Sequence, residues 1–177
     1  MRMLKPSVLF VLILCTIQPN NGEGIIEKTC NRAPHYFLEC VKYVKSYPNY
    51  PNPAKPVDVV IIMVYIMRDK AMTTSTKSRN LLPKARPGTR EYQGLQLCAT
   101  SYNEIATSNF RRIRESLLRG DPKVSLDIAN DVLGKVRRCE MFFHGRAGGG
   151  IRTPLTDENN EMDLVVTIAA NILDSFV

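Results

Sequence analysis

The chain has 177 residues, a formal net charge of +7 at pH 7 and 44% hydrophobic residues. This length supports one domain with one sizeable core. Beyond the N-terminal segment no apolar run approaches 18 residues, so we expect no membrane span in the mature chain. The positive charge favours acidic partners, such as an anionic polysaccharide or an acidic protein face.

A secretion signal is predicted at the N-terminus. Residues 1–5 are basic, and residues 8–17 are nearly all apolar, a run too short to cross a bilayer. Residues 22–24 supply small glycines for cleavage. We therefore expect residues 1–24 to be removed and the domain of residues 25–177 to be secreted, which disfavours nucleic acid as a partner.

Residues 25–47 predict a small helical hairpin. One short helix opens at Ile25, Pro34 interrupts it, and a second helix runs on through Val44. Two arms of this size cannot bury a core alone, so the hairpin needs a neighbour to pack against.

A linker and then a long helix follow the hairpin. Residues 46–56 contain four prolines, which exclude a helix or a central strand. Apolar residues then recur at helical spacing from Val57 to Ala71, with Asp58 in the first turn, where the helix dipole favours an acid. This run is unusually apolar. We expect a central helix that frays through a Thr/Ser/Lys-rich end and stops before Pro83.

Two amphipathic helices are organised around Gly120, Asp121 and Pro122. Gly120 suits the left-handed backbone conformation in which a helix commonly ends. Asp121 can accept hydrogen bonds from the free N–H groups at the start of the next helix, and Pro122, as its first residue, has no N–H to leave unpaired. Apolar residues recur at helical spacing on both sides, namely Leu95, Cys98, Tyr102, Ile105, Ala106, Ile113 and Leu117, then Ile128, Ala129, Val132, Val136, Cys139 and Phe143. The pattern predicts an antiparallel helical hairpin over residues 94–145.

A fourth long helix is predicted after a glycine-rich loop. The loop covers residues 144–154, and Thr156 is the expected N-cap, with acids in the first turn. An apolar face then extends to Phe176. Since no segment shows strand periodicity, the predicted fold class is all-α, an up-down-up-down four-helix bundle over residues 57–177 with the N-terminal hairpin attached.

Four cysteines remain once Cys15 leaves with the signal, and secretion favours two disulfides among three open pairings. Cys98 and Cys139 lie about 22 residues before and about 18 after the glycine turn, so both sit roughly 30 Å from it at one end. They can therefore pair, which leaves Cys30 to pair with Cys40. No Cys-x-x-Cys pair is present, so neither a metal nor another cofactor is expected.

Signals of enzymatic activity are weak. The glycine-rich residues 145–150 follow a helix rather than a strand and lack the Lys-Ser/Thr pair of a phosphate loop. No nucleophile or carboxylate pair stands out, so we expect a binding module without catalytic residues, whose most exposed ordered feature is the turn from Gly120 to Lys123. One basic run is interpreted as the solvated side of a helix: Arg111, Arg112, Arg114 and Arg119.

Three motifs and the cysteine order carry a family resemblance. The motifs are Ile26-x3-Cys30, Cys98-x3-Tyr102-x3-Ala106 and Cys139-Glu140-x-x-Phe143. With a close cysteine pair around a proline, and one cysteine on each central helix, the mature chain resembles the plant invertase and pectin methylesterase inhibitor family. The resemblance implies a four-helix bundle with an N-terminal hairpin, the same two disulfides, and a location in the apoplast or cell wall, with the vacuole as the alternative.

Two branches of that family share the fold. In the invertase-inhibitor branch a Pro-Lys-Phe turn enters the enzyme's substrate cleft, and Pro122 and Lys123 match it, whereas Val124 replaces the aromatic residue. The acid-lined cleft of a glycosidase favours a lysine. Residues 150–159 are similar to pollen-allergen members of this branch. The resemblance therefore implies a partner-binding site in the turn, formed by Asp121, Pro122, Lys123 and Val124. Inhibitors of pectin methylesterase instead use polar side chains on the bundle helices.

Three functions are compatible with the resemblance. The first is inhibition of a plant acid invertase (β-fructofuranosidase) by occlusion of its active-site cleft. The second is inhibition of pectin methylesterase (pectinesterase) by the same fold. The third is a non-inhibitory basic bundle that binds anionic cell-wall polysaccharide. The fold alone does not distinguish among these three functions.

Overall fold

The computed structural model describes residues 21–48, 52–144 and 152–177. Their α-helices, in chain order, are α1 (Asn21–Cys30), α2 (Phe37–Ser46), α3 (Pro56–Leu81), α4 (Arg90–Glu104), α5 (Phe110–Leu118), α6 (Pro122–His144) and α7 (Thr156–Asp174). None of these described residues lies in a strand, so the all-α prediction is confirmed. Most of the predicted signal and the glycine-rich residues 145–150 lie outside the described residues.

The bundle consists of α3, the α4–α5 pair, α6 and α7. Helix α3 packs against α4 and α7, and α6 packs against α4, α5 and α7, so the four segments surround one core. The apolar positions predicted on α4 to α6 all lie in that core. The predicted helical bundle is therefore confirmed.

The first half of helix α3 is deeply buried in the bundle. Every residue from Val59 to Val64 is buried, so the expectation of a central helix is correct. The expected fraying is wrong, because α3 stays helical through Leu81. Its hydroxyls bond back to carbonyls one turn earlier, as from Thr74 to Lys70 O at 2.9 Å and from Ser78 to Thr74 O at 2.8 Å. These bonds satisfy hydroxyls that would otherwise compete with the helix.

The N-terminal hairpin packs onto α3, which is the neighbour that its short helices need. Helices α1 and α2 are joined through a 3-10 turn, Pro34–Tyr36, and by the Cys30–Cys40 disulfide. Arg32, in the connection, donates a 2.9 Å hydrogen bond to Ser175 Oγ and lies 4.8 Å from the centre of the Phe176 ring. The hairpin is thereby tied to the C-terminal end of α7.

The helix before Gly120 differs from the uninterrupted α-helix that the sequence predicts. A π-helical segment, Ile105–Asn109, separates α4 from α5. Asn109 is buried, donates to Asp131 Oδ2 at 3.0 Å and accepts from Lys135 Nζ at 2.9 Å. A polar residue in the apolar stripe thus meets polar partners on α6, and the backbone widens locally where this occurs.

The open end of the central hairpin is closed by the Cys98–Cys139 disulfide, with Cα atoms 5.1 Å apart. Both predicted disulfides are therefore confirmed. One turn before Cys98, Gly94 lies directly under the ring of Phe143. A Cβ atom on Gly94 would come within 2.7 Å of that ring, so the glycine permits the close approach of α4 and α6.

The start of α7 differs by one residue from its prediction. Leu155, not Thr156, occupies the N-cap position, and its carbonyl accepts the amide of Asn159 at 2.8 Å. The Thr156 hydroxyl instead donates to Thr153 O and to Glu140 Oε1, each at 3.1 Å. Thr156 therefore joins α7 to α6 rather than capping its own helix.

Candidate partner-binding surface

The turn between α5 and α6 is fixed by its own backbone. Gly120 has φ of 75°, the left-handed conformation that favours glycine. Its amide donates to Leu117 O at 3.1 Å, and the amide of Asp121 donates to Ser116 O at 2.9 Å, the two bonds of a Schellman motif. Asp121 Oδ1 then accepts the amide of Val124 at 3.2 Å, which caps α6.

A pair of buried hydroxyls holds the two helices together beneath the turn. Ser116 Oγ and Ser125 Oγ lie 2.6 Å apart, and Ser116 also donates to Ile113 O at 2.9 Å. Both serines are fully buried. This pair was not predicted, although two serines at similar distances before and after the turn are its signal in the sequence. The turn is therefore presented by a rigid support.

The tip of this turn combines positive charge with exposed apolar surface. Arg119, Asp121 and Lys123 are exposed, Val124 is 37% exposed, and Leu118 is 62% exposed. Leu118 lies outside the predicted apolar stripe of Ile113 and Leu117, and it was not recognised in the sequence as part of the site. A rigid, cationic tip of this kind suits insertion between carboxylates of a partner.

The basic run on and after α5 is exposed throughout. No ion pair joins the four arginines, Arg111, Arg112, Arg114 and Arg119, to another residue that the structure describes. On the neighbouring face the Arg68 guanidinium lies 4.9 Å from the Phe110 ring centre and 5.1 Å from that of Tyr65. This side of the bundle offers a second, polar surface on helix faces.

A buried polar network lies at the opposite end, beside the Cys98–Cys139 disulfide. The Tyr102 hydroxyl donates to Asn159 Oδ1 at 2.6 Å, and Asn159 Nδ2 donates to Glu140 Oε2. His144 Nε2 lies 3.0 Å from Glu140 Oε1. Burial, reinforced by the nearby charge of Glu158, raises the pKa of the Tyr102 hydroxyl above its ordinary value. Tyr102 therefore stays a donor and joins α4 to α7.

Replacing Tyr102 with Phe is expected to lower the free energy of unfolding by about 1–2 kcal/mol, because Asn159 Oδ1 loses its buried donor. Denaturant unfolding measures the change. Tyr92→Phe, on the same helix, is the matched control, because no hydrogen bond from its hydroxyl joins it to a described residue.

The stability of the protein should also depend on the protonation of Tyr102. Because the pKa of Tyr102 is higher in the folded chain than in the unfolded chain, the folded chain retains this proton to a higher pH. Stability should consequently fall as the pH rises above about 10, and the variant should lack this component. Equal effects of the two variants would contradict the network.

Across the described ranges, no group of three His, Cys, Asp or Glu side chains is arranged to bind a metal ion. Within the same ranges, no helix is long and apolar enough to cross a membrane.

Comparison with known proteins finds one family. The family model described as plant invertase/pectin methylesterase inhibitor matches residues 24–174, which is most of the chain. No curated protein matches the chain.

Proposed function

The chain belongs to the plant invertase/pectin methylesterase inhibitor family, and on that premise we propose that it inhibits a plant acid invertase by occluding the active-site cleft. Members of this family act as inhibitors of one or the other enzyme and are not catalysts. The family alone does not choose between the two targets.

The observation that carries this proposal is the rigid turn between α5 and α6. Pro122 begins α6, Asp121 caps it, and Lys123 is exposed at the tip. Glycosidases use a pair of carboxyl groups to cleave their substrate, so a lysine presented on a rigid support complements such a cleft. Val124 adds a small apolar contact beside the lysine.

Inhibition of a pectin methylesterase is the second candidate, and the polar helix faces favour it. The exposed arginines of α5 and the stacked Arg68 would supply contacts without the turn. Family members are typically extracellular, so both enzymes, and the anionic polysaccharide of the cell wall, are within reach of a secreted bundle.

A direct titration tests the proposal. The oxidised protein is titrated against a plant acid invertase and a plant pectin methylesterase in parallel, and residual activity is measured. Stoichiometric loss of invertase activity alone is the expected result. Loss of methylesterase activity alone would replace the first function by the second. If neither activity falls, the non-inhibitory bundle replaces both.

Salt should slow association with the target if the basic surface steers the encounter. The screening length falls from about 30 Å at 0.01 M salt to about 8 Å at 0.15 M, so we expect the association rate constant to fall roughly tenfold. Stopped-flow or surface binding measures this rate. A rate that stays constant over that range would mean that the arginines of α5 are only a solvated face.

A further inference from the structure

An apolar pocket lies directly behind the turn. It has a volume of about 270 Å³, and its walls are almost entirely apolar. They come from the start of α3, the end of α5, the start of α6 and the C-terminus, through Pro56, Val57, Leu117, Pro122 and Phe176. We refer to these five residues as the turn-end pocket.

The apolar walls of the turn-end pocket suit an apolar group. Its volume, about 270 Å³, is close to the lower end of the range for drug-sized ligands, about 300 to 1,000 Å³, so volume does not identify the occupant. Because the pocket adjoins the turn that is proposed to contact the target enzyme, a side chain of that enzyme is within reach, and protein interfaces are commonly anchored by one aromatic or large aliphatic side chain that fills such a pocket. The turn itself presents no aromatic side chain, because Val124 is small and the exposed Leu118 is aliphatic.

The rim of the pocket is electropositive. Lys55 lines it, Arg119 and Lys123 flank the turn, and none of the three forms an ion pair with another described residue. Helices α3 and α6 both begin here, and the carboxylates of Asp58 and of Asp121, which also lines the pocket, offset the positive ends of their dipoles. The three cations outnumber these two carboxylates, so the surroundings of the pocket keep a net positive charge.

The nearby acids are already engaged. Asp58 accepts the amides of Ala54 and Lys55, each at 2.9 Å, and the Asp121 carboxylate caps α6. These carboxylates satisfy helix N-termini, so the exposed lysines and arginine are left to meet a partner. An apolar floor under a cationic rim complements an apolar side chain that carboxylates surround.

We propose that the turn-end pocket receives one aromatic or large aliphatic side chain, flanked by carboxylates, from the surface of the target enzyme. The inference rests on the proposed function and adds a second contact to it. The Lys123 tip enters the cleft, and the target in turn inserts a side chain behind the tip. The pocket is continuous with the turn, since Gly120 and Pro122 line both.

Two substitutions test the pocket. Phe176→Ala removes one wall together with the ring contact of Arg32, and Phe176 lies beyond the end of α7. Val57→Glu places a carboxylate in the wall, at the start of α3, where the helix dipole favours an acid. We expect either variant to raise the inhibition constant by about 10-fold to 100-fold, measured against the enzyme that the wild-type protein inhibits.

Matched controls separate charge and general surface effects from the pocket. Val57→Gln has nearly the shape of Val57→Glu without its charge, and we expect a smaller effect from it. Leu38→Ala removes an apolar side chain that is 74% exposed on α2, and it should leave inhibition unchanged. Circular dichroism confirms the fold, and if Phe176→Ala fails to fold, the Val57 pair carries the test.

Three outcomes would overturn the inference. Unchanged inhibition by both pocket variants, with the wild type active, would remove the pocket and leave the proposed function standing. A wild type that inhibits neither enzyme would remove both together. A concentration-dependent dimer, detected by sedimentation and abolished by Phe176→Ala, would show that a second copy of the chain covers the pocket instead.

Discussion

Lys123→Ala is expected to raise the inhibition constant against a plant acid invertase by about 30-fold to 5,000-fold. The lysine stands at the exposed tip of a turn that the Schellman bonds, the Asp121 cap and the serine pair beneath it hold rigid. Breaking a buried charge pair at an interface costs roughly 2–5 kcal/mol, because the partner carboxylates stay desolvated and unpaired. The measurement is the inhibition constant of purified variants with intact disulfides.

Two further variants control this result. Lys84→Ala removes the same charge from an exposed lysine beyond the other end of α3, and it should leave inhibition unchanged. Val124→Phe should strengthen inhibition, because a buried aromatic anchor adds about 1–3 kcal/mol. A pectin methylesterase contacted through helix faces should be insensitive to both turn variants. If Lys123→Ala leaves the inhibition constant against invertase unchanged, the turn is only a boundary between two helices and not part of the binding site.

Removing the Cys98–Cys139 disulfide should cause the largest loss of stability. The bond closes a loop with a sequence separation of 41, for which the chain-entropy model gives roughly 4 kcal/mol. At about 2–4 °C per kcal/mol for a domain of this size, the double variant Cys98→Ser/Cys139→Ser should melt about 8–16 °C lower. Replacing both cysteines avoids a free thiol that could exchange. Calorimetry or circular dichroism measures the change.

The Cys30–Cys40 disulfide provides the internal comparison. Its sequence separation of 10 predicts a smaller contribution, roughly 2–3 kcal/mol, from the same model. Cys30→Ser/Cys40→Ser should therefore melt at a temperature between those of the other variant and the wild type. Non-reducing peptide mapping should recover these two links alone. A Cys40–Cys98 link in that map, or a reversed order of melting, would contradict the arrangement.

Local sequence physics predicted the frame of the molecule well. Helical spacing of apolar residues identified the bundle helices, and the Gly120-Asp121-Pro122 boundary follows from backbone preferences that each residue carries itself. Counting residues from that turn placed Cys98 beside Cys139, because the rise of a helix is constant.

Features that depend on distant partners were not predicted. The π-helical segment forms where buried Asn109 meets Asp131 and Lys135 of another helix. Thr156 was expected to cap α7, but its hydroxyl donates to Glu140 of α6, which is also a partner distant in sequence. The turn-end pocket needs four parts of the chain to meet, and no spacing within one helix encodes such a hollow.

Substrate competition tests the central claim most directly, which is that the turn occludes the substrate cleft of an acid invertase. The apparent inhibition constant of the wild-type protein is measured at increasing sucrose concentration. If the turn and the substrate exclude one another, this constant rises in proportion to sucrose above the KM of the enzyme. An apparent inhibition constant that does not change with sucrose would place the inhibitor outside the cleft and contradict the account.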